Sequence, residues 1–175
     1  MIPQTGLGRF FFILHIALIL AQWLVPLAAL PNLPEQIPVH FNFQGQADRF
    51  ASKSSWELWF SPIVATVLGV FTMILLCYPR LFNVPRKQEI AALPEPQSVV
   101  VYVLMREMML AIFVIVQALM LTVIWLIVSF ATATHAPFPW PLLVSFMVAP
   151  LAVATVYLVR ISRALDAAKR EAGKV

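Results

Sequence analysis

Apolar residues are concentrated in four stretches of this chain, each long enough to cross a lipid bilayer as a helix. The stretches cover residues 10–30, 58–78, 103–131 and 140–159. A helix that crosses the hydrocarbon layer needs about 20 mostly apolar residues, because it rises about 1.5 Å per residue. The pattern therefore predicts an all-α integral membrane protein with four transmembrane helices.

The segments between these stretches predict how the helices are connected. Residues 31–57 separate the first two stretches, whereas only residues 132–139 separate the last two, which predicts a tight antiparallel helical hairpin. The chain contains no internal repeat. We therefore expect residues 1–175 to form a single four-helix membrane domain with a short extracytoplasmic cap between helices 1 and 2.

Composition excludes a soluble protein. Hydrophobic residues make up 61% of the 175 and charged residues 11%, whereas soluble domains have about 45–50% apolar and about 25% charged residues. The net charge of +4 and the pI near 9.6 do not indicate nucleic-acid binding, because the basic residues lie in the gaps between the apolar stretches. We expect the lipid bilayer, and not nucleic acid, as a partner.

The distribution of Lys and Arg predicts the orientation of the chain. With the N-terminus inside, the inner segments carry 10 of the 12 basic residues, and the outer segments carry Arg49 and Lys53. Inner segments of membrane proteins are enriched in Lys and Arg. We therefore expect a multi-pass protein with both termini in the cytoplasm and residues 31–57 outside, which in a bacterium means a protein of the cytoplasmic (inner) membrane.

Strongly polar side chains within the predicted spans, among them His15, Gln22, Arg106 and Gln117, are expected to face other helices, because polar groups in a bilayer are costly. His15 and Gln22 are seven residues apart on one face of the first span. Gln117 lies at a similar depth in the third span, so we expect a Gln22–Gln117 hydrogen bond. No acidic residue lies in the middle of a span, which argues against a proton pump or an antiporter.

His15 is the one histidine inside a predicted span, and a haem or chlorin cofactor would need such a residue as an axial ligand. A hydrogen-bonded contact between helices is the alternative for this side chain. The sequence contains no H-E-x-x-H, no G-x-S-x-G and no Gly-rich phosphate loop. No motif therefore indicates an enzyme.

The loop of residues 31–57 has the highest density of hydrogen-bonding side chains in the chain. The alternation of apolar and polar residues over 39–43 predicts a short strand, and Gly45 predicts a turn after it. Residues 54–57 match a capping box that would begin the second span, with Ser54 as the N-cap. The side chains expected to face the membrane or the helix ends are Val39, Phe41 and Phe43.

The same loop resembles the pattern of a known family. Residues 33–53 follow the spacing L-P-x-x-I-P-x-H-F-N-x-x-G-x-x-D-x-x-x-x-K. This resembles the signature of the bacterial domain of unknown function 1648, a small multi-helix membrane domain that is also found at the start of SdpI-type toxin-immunity proteins. Ala47 stands where the family often has proline. The resemblance implies a bacterial integral membrane protein and implies no known activity.

The chemistry of the loop pattern leaves three alternatives. It can recognise a peptide, a lipid head group or a partner subunit. It can instead be structural, with Asp48 paired to Lys53 or Arg49 and with His40 and Asn42 satisfying the backbone of the turn. It can also hold a metal ion, with His40 and Asp48 as ligands, Asn42 assisting, and His135 from the other outer loop as a third ligand. The candidate binding residues are His40, Asn42, Gly45, Asp48 and Lys53.

These alternatives lead to three possible functions. The leading one is a non-enzymatic integral membrane protein whose outer loop recognises a peptide or another membrane protein, as an immunity protein or a sensor would. The second is an accessory subunit of a larger respiratory, photosynthetic or transport complex. The third is a metal-dependent membrane enzyme that uses His40, Asp48 and His135. We expect no cofactor for the leading function.

Overall fold

The computed structural model describes residues 5–78, 86–132 and 138–172. Four of its helices are long and apolar enough to cross a membrane, so the chain is a multi-pass membrane protein of the all-α class, as predicted. A short pair of strands lies between the first two of these helices. In chain order the elements are α1 (Gly6–Ala29), β1 (Gln36–Phe41), β2 (Ala47–Ser52), α2 (Glu57–Cys77), α3 (Lys87–Ala91), α4 (Glu95–Thr132) and α5 (Trp140–Ala172).

Helix α4 is the centre of the bundle. It packs against α1, α2 and α5 and touches β1 at one end, and α1 also packs against α2. Thr5 lies beside Glu107 and Gln22 beside Gln117, so α1 and α4 run in the same direction. Helix α2 runs in the opposite direction, because Ser61 in the first half of α2 bonds to Gln22 in the second half of α1. The helices α1, α2 and α4 therefore alternate in direction along the chain, as expected for consecutive spans.

Helices α4 and α5 are longer than the spans predicted from hydropathy. They contain 38 and 33 residues, which correspond to about 57 and about 50 Å at about 1.5 Å per residue. Both therefore extend beyond a hydrocarbon layer of about 30 Å. On the side opposite the cap, Ile161 and Leu165 of α5 pack against Val101 and Met105 of α4 and hold the two extensions together.

The cap is an antiparallel hairpin fixed to the other end of the bundle. β1 pairs with β2 from Gln36 opposite Ser52 to Phe41 opposite Ala47, with irregular pairing around residue 39. Burial of apolar side chains is the main force that holds such a hairpin in place, since two strands alone are marginally stable. The buried residues of this contact are Leu33 and Ile37 of the cap, Leu58 of α2, and Ile124 and Ile127 of α4.

The predicted strand at residues 39–43 is displaced from the observed one. β1 ends at Phe41, and the sequence interpretation did not include β2. Val39 and Phe41 pack against the buried cluster as expected, but Phe43 is 91% exposed. The reason is that Phe43 lies in the turn, where the alternation of a strand no longer applies.

The predicted capping box is wrong. Helix α2 begins at Glu57 with Trp56 as its N-cap, and no side chain caps it. Ser54 instead belongs to the turn after β2, where its backbone N–H donates to Oγ of Ser52 over 3.3 Å. The N–H of Ser55 also donates to the carbonyl of Ser52 over 2.9 Å. These serines therefore bond within the tight turn that precedes α2, and Ser54 does not cap the helix.

Candidate functional site

Asn42 and Gly45 shape the turn of the cap hairpin. The side-chain oxygen of Asn42 accepts hydrogen bonds from the N–H groups of Gln44 and Gln46, each over 3.0 Å. Gly45 has a φ of +75°, and a Cβ at this position would lie 2.4 Å from Cβ of Phe138. Only glycine fits both the backbone conformation and the close approach. These two motif residues therefore have clear structural roles.

Lys53 ties the two ends of the cap together. Its ammonium group donates to the carbonyl of Leu33 over 3.0 Å, and its backbone N–H donates to the carbonyl of Glu35 over 2.9 Å. Charged donors make the stronger kind of hydrogen bond to a carbonyl. Lys53 therefore secures the chain segment that enters β1.

His40 and Asp48 form an exposed pair on the hairpin. Nδ1 of His40 lies 2.5 Å from Oδ1 of Asp48, and the two side chains are 60% and 43% exposed. The expected pairing of Asp48 with Lys53 or Arg49 is wrong: Arg49 lies 3.8 Å from Glu57 instead. The bulged register brings Asp48 beside His40 on the neighbouring strand. The contact orients the imidazole and turns its Nε2 away from the carboxylate.

Aromatic contacts attach the strand that carries His40 to the helices. The ring of Phe41, next to His40 in β1, lies 5.0 Å from that of Phe130 in α4 and 5.3 Å from that of Phe138. The ring of Phe138 lies 4.7 Å from that of Trp140 at the start of α5. Ring pairs at such distances add about 0.5–1.5 kcal/mol each beyond their buried area. The hairpin is therefore attached to both α4 and α5.

The metal-site hypothesis depends on a residue outside the described part of the chain. His135 lies in the undescribed residues 133–137. Among the described residues, no group of three His, Cys, Asp or Glu side chains is placed to hold a metal ion. The set His40, Asp48 and His135 stays a prediction. In such a site Asp48 would orient the imidazole as an outer partner, and Nε2 of His40 would be the ligand.

Inside the bundle, the predicted Gln22–Gln117 hydrogen bond is confirmed. Nε2 of Gln22 donates to Oε1 of Gln117 over 2.7 Å. Ser61 of α2 donates to Oε1 of Gln22 over 3.1 Å, and Gln117 donates to the carbonyl of Ala65 over 2.9 Å. This buried network joins α1, α2 and α4, and its amides bond to one another and to the backbone. It is a structural joint between three helices.

His15 lies seven residues before Gln22 on α1 and is completely buried. Neither of its ring nitrogens has a hydrogen-bond partner among residues 5–78, 86–132 and 138–172. Its ring is nearly perpendicular to that of Phe113 of α4, with 6.3 Å between the centroids, and a Cβ on Gly69 of α2 would lie 3.8 Å from its Nε2. The expected hydrogen-bonded helix contact is therefore wrong. Haem or chlorin ligation stays a prediction, although the enclosed ring leaves little room for a macrocycle.

Glu107 is a buried acidic residue that the sequence interpretation missed. It is 5% exposed, accepts a hydrogen bond from the hydroxyl of Thr5, and lies 3.4 Å from the hydroxyl of Tyr157. Because of the neighbouring Arg106, the sequence interpretation assigned this part of the chain to an inner segment. The position of Glu107 inside the apolar stretch 103–131, where a carboxylate needs partners, is the signal that could have identified it.

Comparison with known proteins supports the family resemblance. Residues 17–66, which cover the second half of α1, the cap and the first half of α2, match the family described as Domain of unknown function (DUF1648). A protein of Archaeoglobus fulgidus named "Uncharacterized protein" is 32% identical over 91 residues, covering 47% of this chain and 49% of that relative. The chain thus matches about half the length of this curated relative, and no solved structure matches. The protein is a multi-pass membrane protein in which residues 17–66 are similar to the Domain of unknown function DUF1648.

Proposed function

We propose that this protein is a non-enzymatic protein of the bacterial cytoplasmic membrane whose hairpin cap faces the cell exterior and recognises a peptide or protein partner. Both termini are then in the cytoplasm. The basic residues support this orientation, since 10 of 12 lie in the segments that it places inside. The cap is the part of the protein that an external partner would meet.

The observation that carries the proposal is that the motif residues divide into a structural group and an exposed pair. Asn42, Gly45 and Lys53 shape and attach the hairpin. His40 and Asp48 bond to each other and remain exposed. An oriented imidazole with one nitrogen turned outward can donate or accept a hydrogen bond according to its tautomer. The neighbouring turn adds Phe43, an apolar ring that is 91% exposed and suits an aromatic anchor at an interface.

Photo-crosslinking in cells tests this proposal. A photoreactive phenylalanine analogue replaces Phe43, and the same analogue replaces Leu20, an exposed apolar residue of α1, as the control. We expect a discrete protein adduct from position 43 and not from position 20. The second change His40→Ala should reduce the adduct at least several-fold, because it removes the exposed imidazole while leaving Asn42 and Gly45 in place.

Two outcomes would contradict the proposal. Position 43 could give no protein adduct in cells that contain the protein in the membrane. Alternatively, the adduct could form equally well with His40→Ala and with Asp48→Ala. In that case Phe43 merely lies near a neighbour, and the motif does not recognise it.

A second candidate function is the accessory subunit of a larger membrane complex, and the outer half of α5 favours it. No residue of 140–156 is buried, and Met147 and Leu151 are 71% and 69% exposed. Lipid covers such a face in a solitary protein, whereas a neighbouring helix covers it in a complex. Leu151→Trp should dissociate a complex that uses this face in mild detergent, whereas Leu20→Trp on α1 should not.

A further inference from the structure

His15 is enclosed where α1, α2 and α4 meet. Its side chain is completely buried, and both ring nitrogens lack hydrogen-bond partners in the part of the chain that the structure describes. Gly69 allows α2 to approach closely here: a Cβ on Gly69 would lie 2.5 Å from Cδ1 of Ile19 and 3.8 Å from Nε2 of His15. Buried polar groups in proteins are nearly always hydrogen-bonded. An unpaired histidine between three helices is therefore a costly arrangement that calls for an explanation.

We propose that His15 is an internal proton-binding site that makes the closed arrangement of α1, α2 and α4 sensitive to acid. In the closed bundle the imidazole lies near Gly69 and Phe113, neither of which carries a negative charge. A charge in a low-dielectric interior without a charged partner is strongly unfavourable. A proton on His15 is therefore better tolerated when the helices separate and water reaches the ring.

The charged groups of the neighbouring helices lie away from the level of His15. α2 carries its ionisable side chains at its two ends, and those of α4 all precede Phe113. Glu107 is the buried acid among them, but it contacts Thr5, ten residues before His15 on α1, which corresponds to about 15 Å along the helix. The titratable groups on the three helices are Arg9 of α1, Glu57 and Cys77 of α2, and Glu95, Tyr102, Arg106 and Glu107 of α4.

The direction of the effect follows from proton linkage. Above about pH 6.5, the ordinary midpoint for an exposed histidine, the open and closed arrangements both hold a neutral imidazole. Below that pH, the open arrangement binds a proton that the closed one rejects, so acid favours opening by up to tenfold per pH unit. Between pH 8 and pH 5 the opening equilibrium should increase by up to about 30-fold.

Hydrogen exchange measured by mass spectrometry on the full chain in detergent tests this inference. The protection factors of the α2 amides around Gly69, corrected for the intrinsic pH dependence of exchange, should fall by about 10-fold to 30-fold from pH 8 to pH 5. In His15→Leu they should fall by less than about threefold. His15→Gln keeps a polar group that does not ionise in this range, and it replaces His15→Leu if that variant does not fold.

The exposed histidine of the cap provides the matched control. His40→Ala removes an exposed histidine while leaving His15 in place, so this variant should lose protection with acid as the unchanged protein does. The inference would be overturned if the unchanged protein kept its protection at pH 5. It would also be overturned if the His15 variants lost protection to the same extent.

Discussion

At the scale of single residues, the motif of the cap divides into two groups. Asn42, Gly45 and Lys53 bond within the cap, while His40 and Asp48 face outward as a pair. The sequence pattern could identify these residues as a motif but could not distinguish those that bond within the cap from the exposed pair. That division depends on the hairpin register, which places Asp48 beside His40 and not beside Lys53.

Gly45→Ala should destabilise the protein by about 1–3 kcal/mol. The positive φ of Gly45 and the contact with Phe138 both exclude a Cβ, and a non-glycine residue in this conformation carries strain of that size. Thermal unfolding in detergent measures the loss. Gly6→Ala is the control, because a Cβ there meets nothing within 4 Å. Equal stability of the two variants would contradict the role assigned to Gly45.

At the scale of helices and strands, contacts fixed by helical periodicity could be predicted. The Gln22–Gln117 bond follows from the depth of each residue along its own helix, which the sequence determines. The part played by Ser61 of α2 could not be predicted, because the rotation of α2 about its axis depends on packing. The cap strands were also partly missed, because β2 is stable only when the hairpin is docked on the bundle.

A double-mutant cycle should detect the contact between α1 and α4. Gln22→Leu and Gln117→Leu should couple by about 0.5–1 kcal/mol in thermal or denaturant unfolding, the range usual for hydrogen bonds between membrane helices. Gln22→Leu combined with Thr155→Val is the control, because Thr155 is exposed and bonds within α5. Coupling within about 0.3 kcal/mol of zero for the Gln pair would show that the bond contributes no stability.

Ion pairs attach α3 to the end of α5 on the side opposite the cap. Arg86, whose φ is 62°, bonds both Glu89 and Asp166 over 2.9 Å, and Lys169 also pairs with Glu89. The hydrogen bonds from Arg86 and Lys169 lower the pKa of Glu89 from the ordinary 4.5 to about 2. The same contacts raise the pKa of Arg86, so these ion pairs persist at neutral pH.

Glu89→Gln should loosen this attachment modestly, because exposed ion pairs contribute little individually. Trypsin should cleave the variant faster, by about twofold to fivefold, after Arg163 and Lys169. In the unchanged protein, the contribution of Glu89 is complete above about pH 4.5 and is lost as the pH falls towards about 2. Glu171→Gln, which changes an exposed acid of α5 near these cleavage sites, is the control. Equal cleavage of the two variants would contradict the role of Glu89.

At the scale of the whole molecule, hydropathy predicted the four long helices, since length and composition suffice for that. It did not predict that α4 extends beyond the membrane, because solvated helical turns carry no hydropathy signal. Burial of Glu107 was missed for a related reason: it depends on how Thr5 and Tyr157 meet across three helices. The orientation predicted from Lys and Arg decides whether an external partner can reach the cap.

Cysteine labelling in intact bacterial cells measures that orientation directly. In a Cys77→Ser background, Phe43→Cys places a thiol at the most exposed large apolar position of the cap, and Lys87→Cys places one on α3 at the opposite end. A membrane-impermeant maleimide should label Phe43→Cys in intact cells and Lys87→Cys only after the cells are opened. Labelling of Lys87→Cys in intact cells, with Phe43→Cys protected until lysis, would place the cap in the cytoplasm and contradict recognition of an external partner.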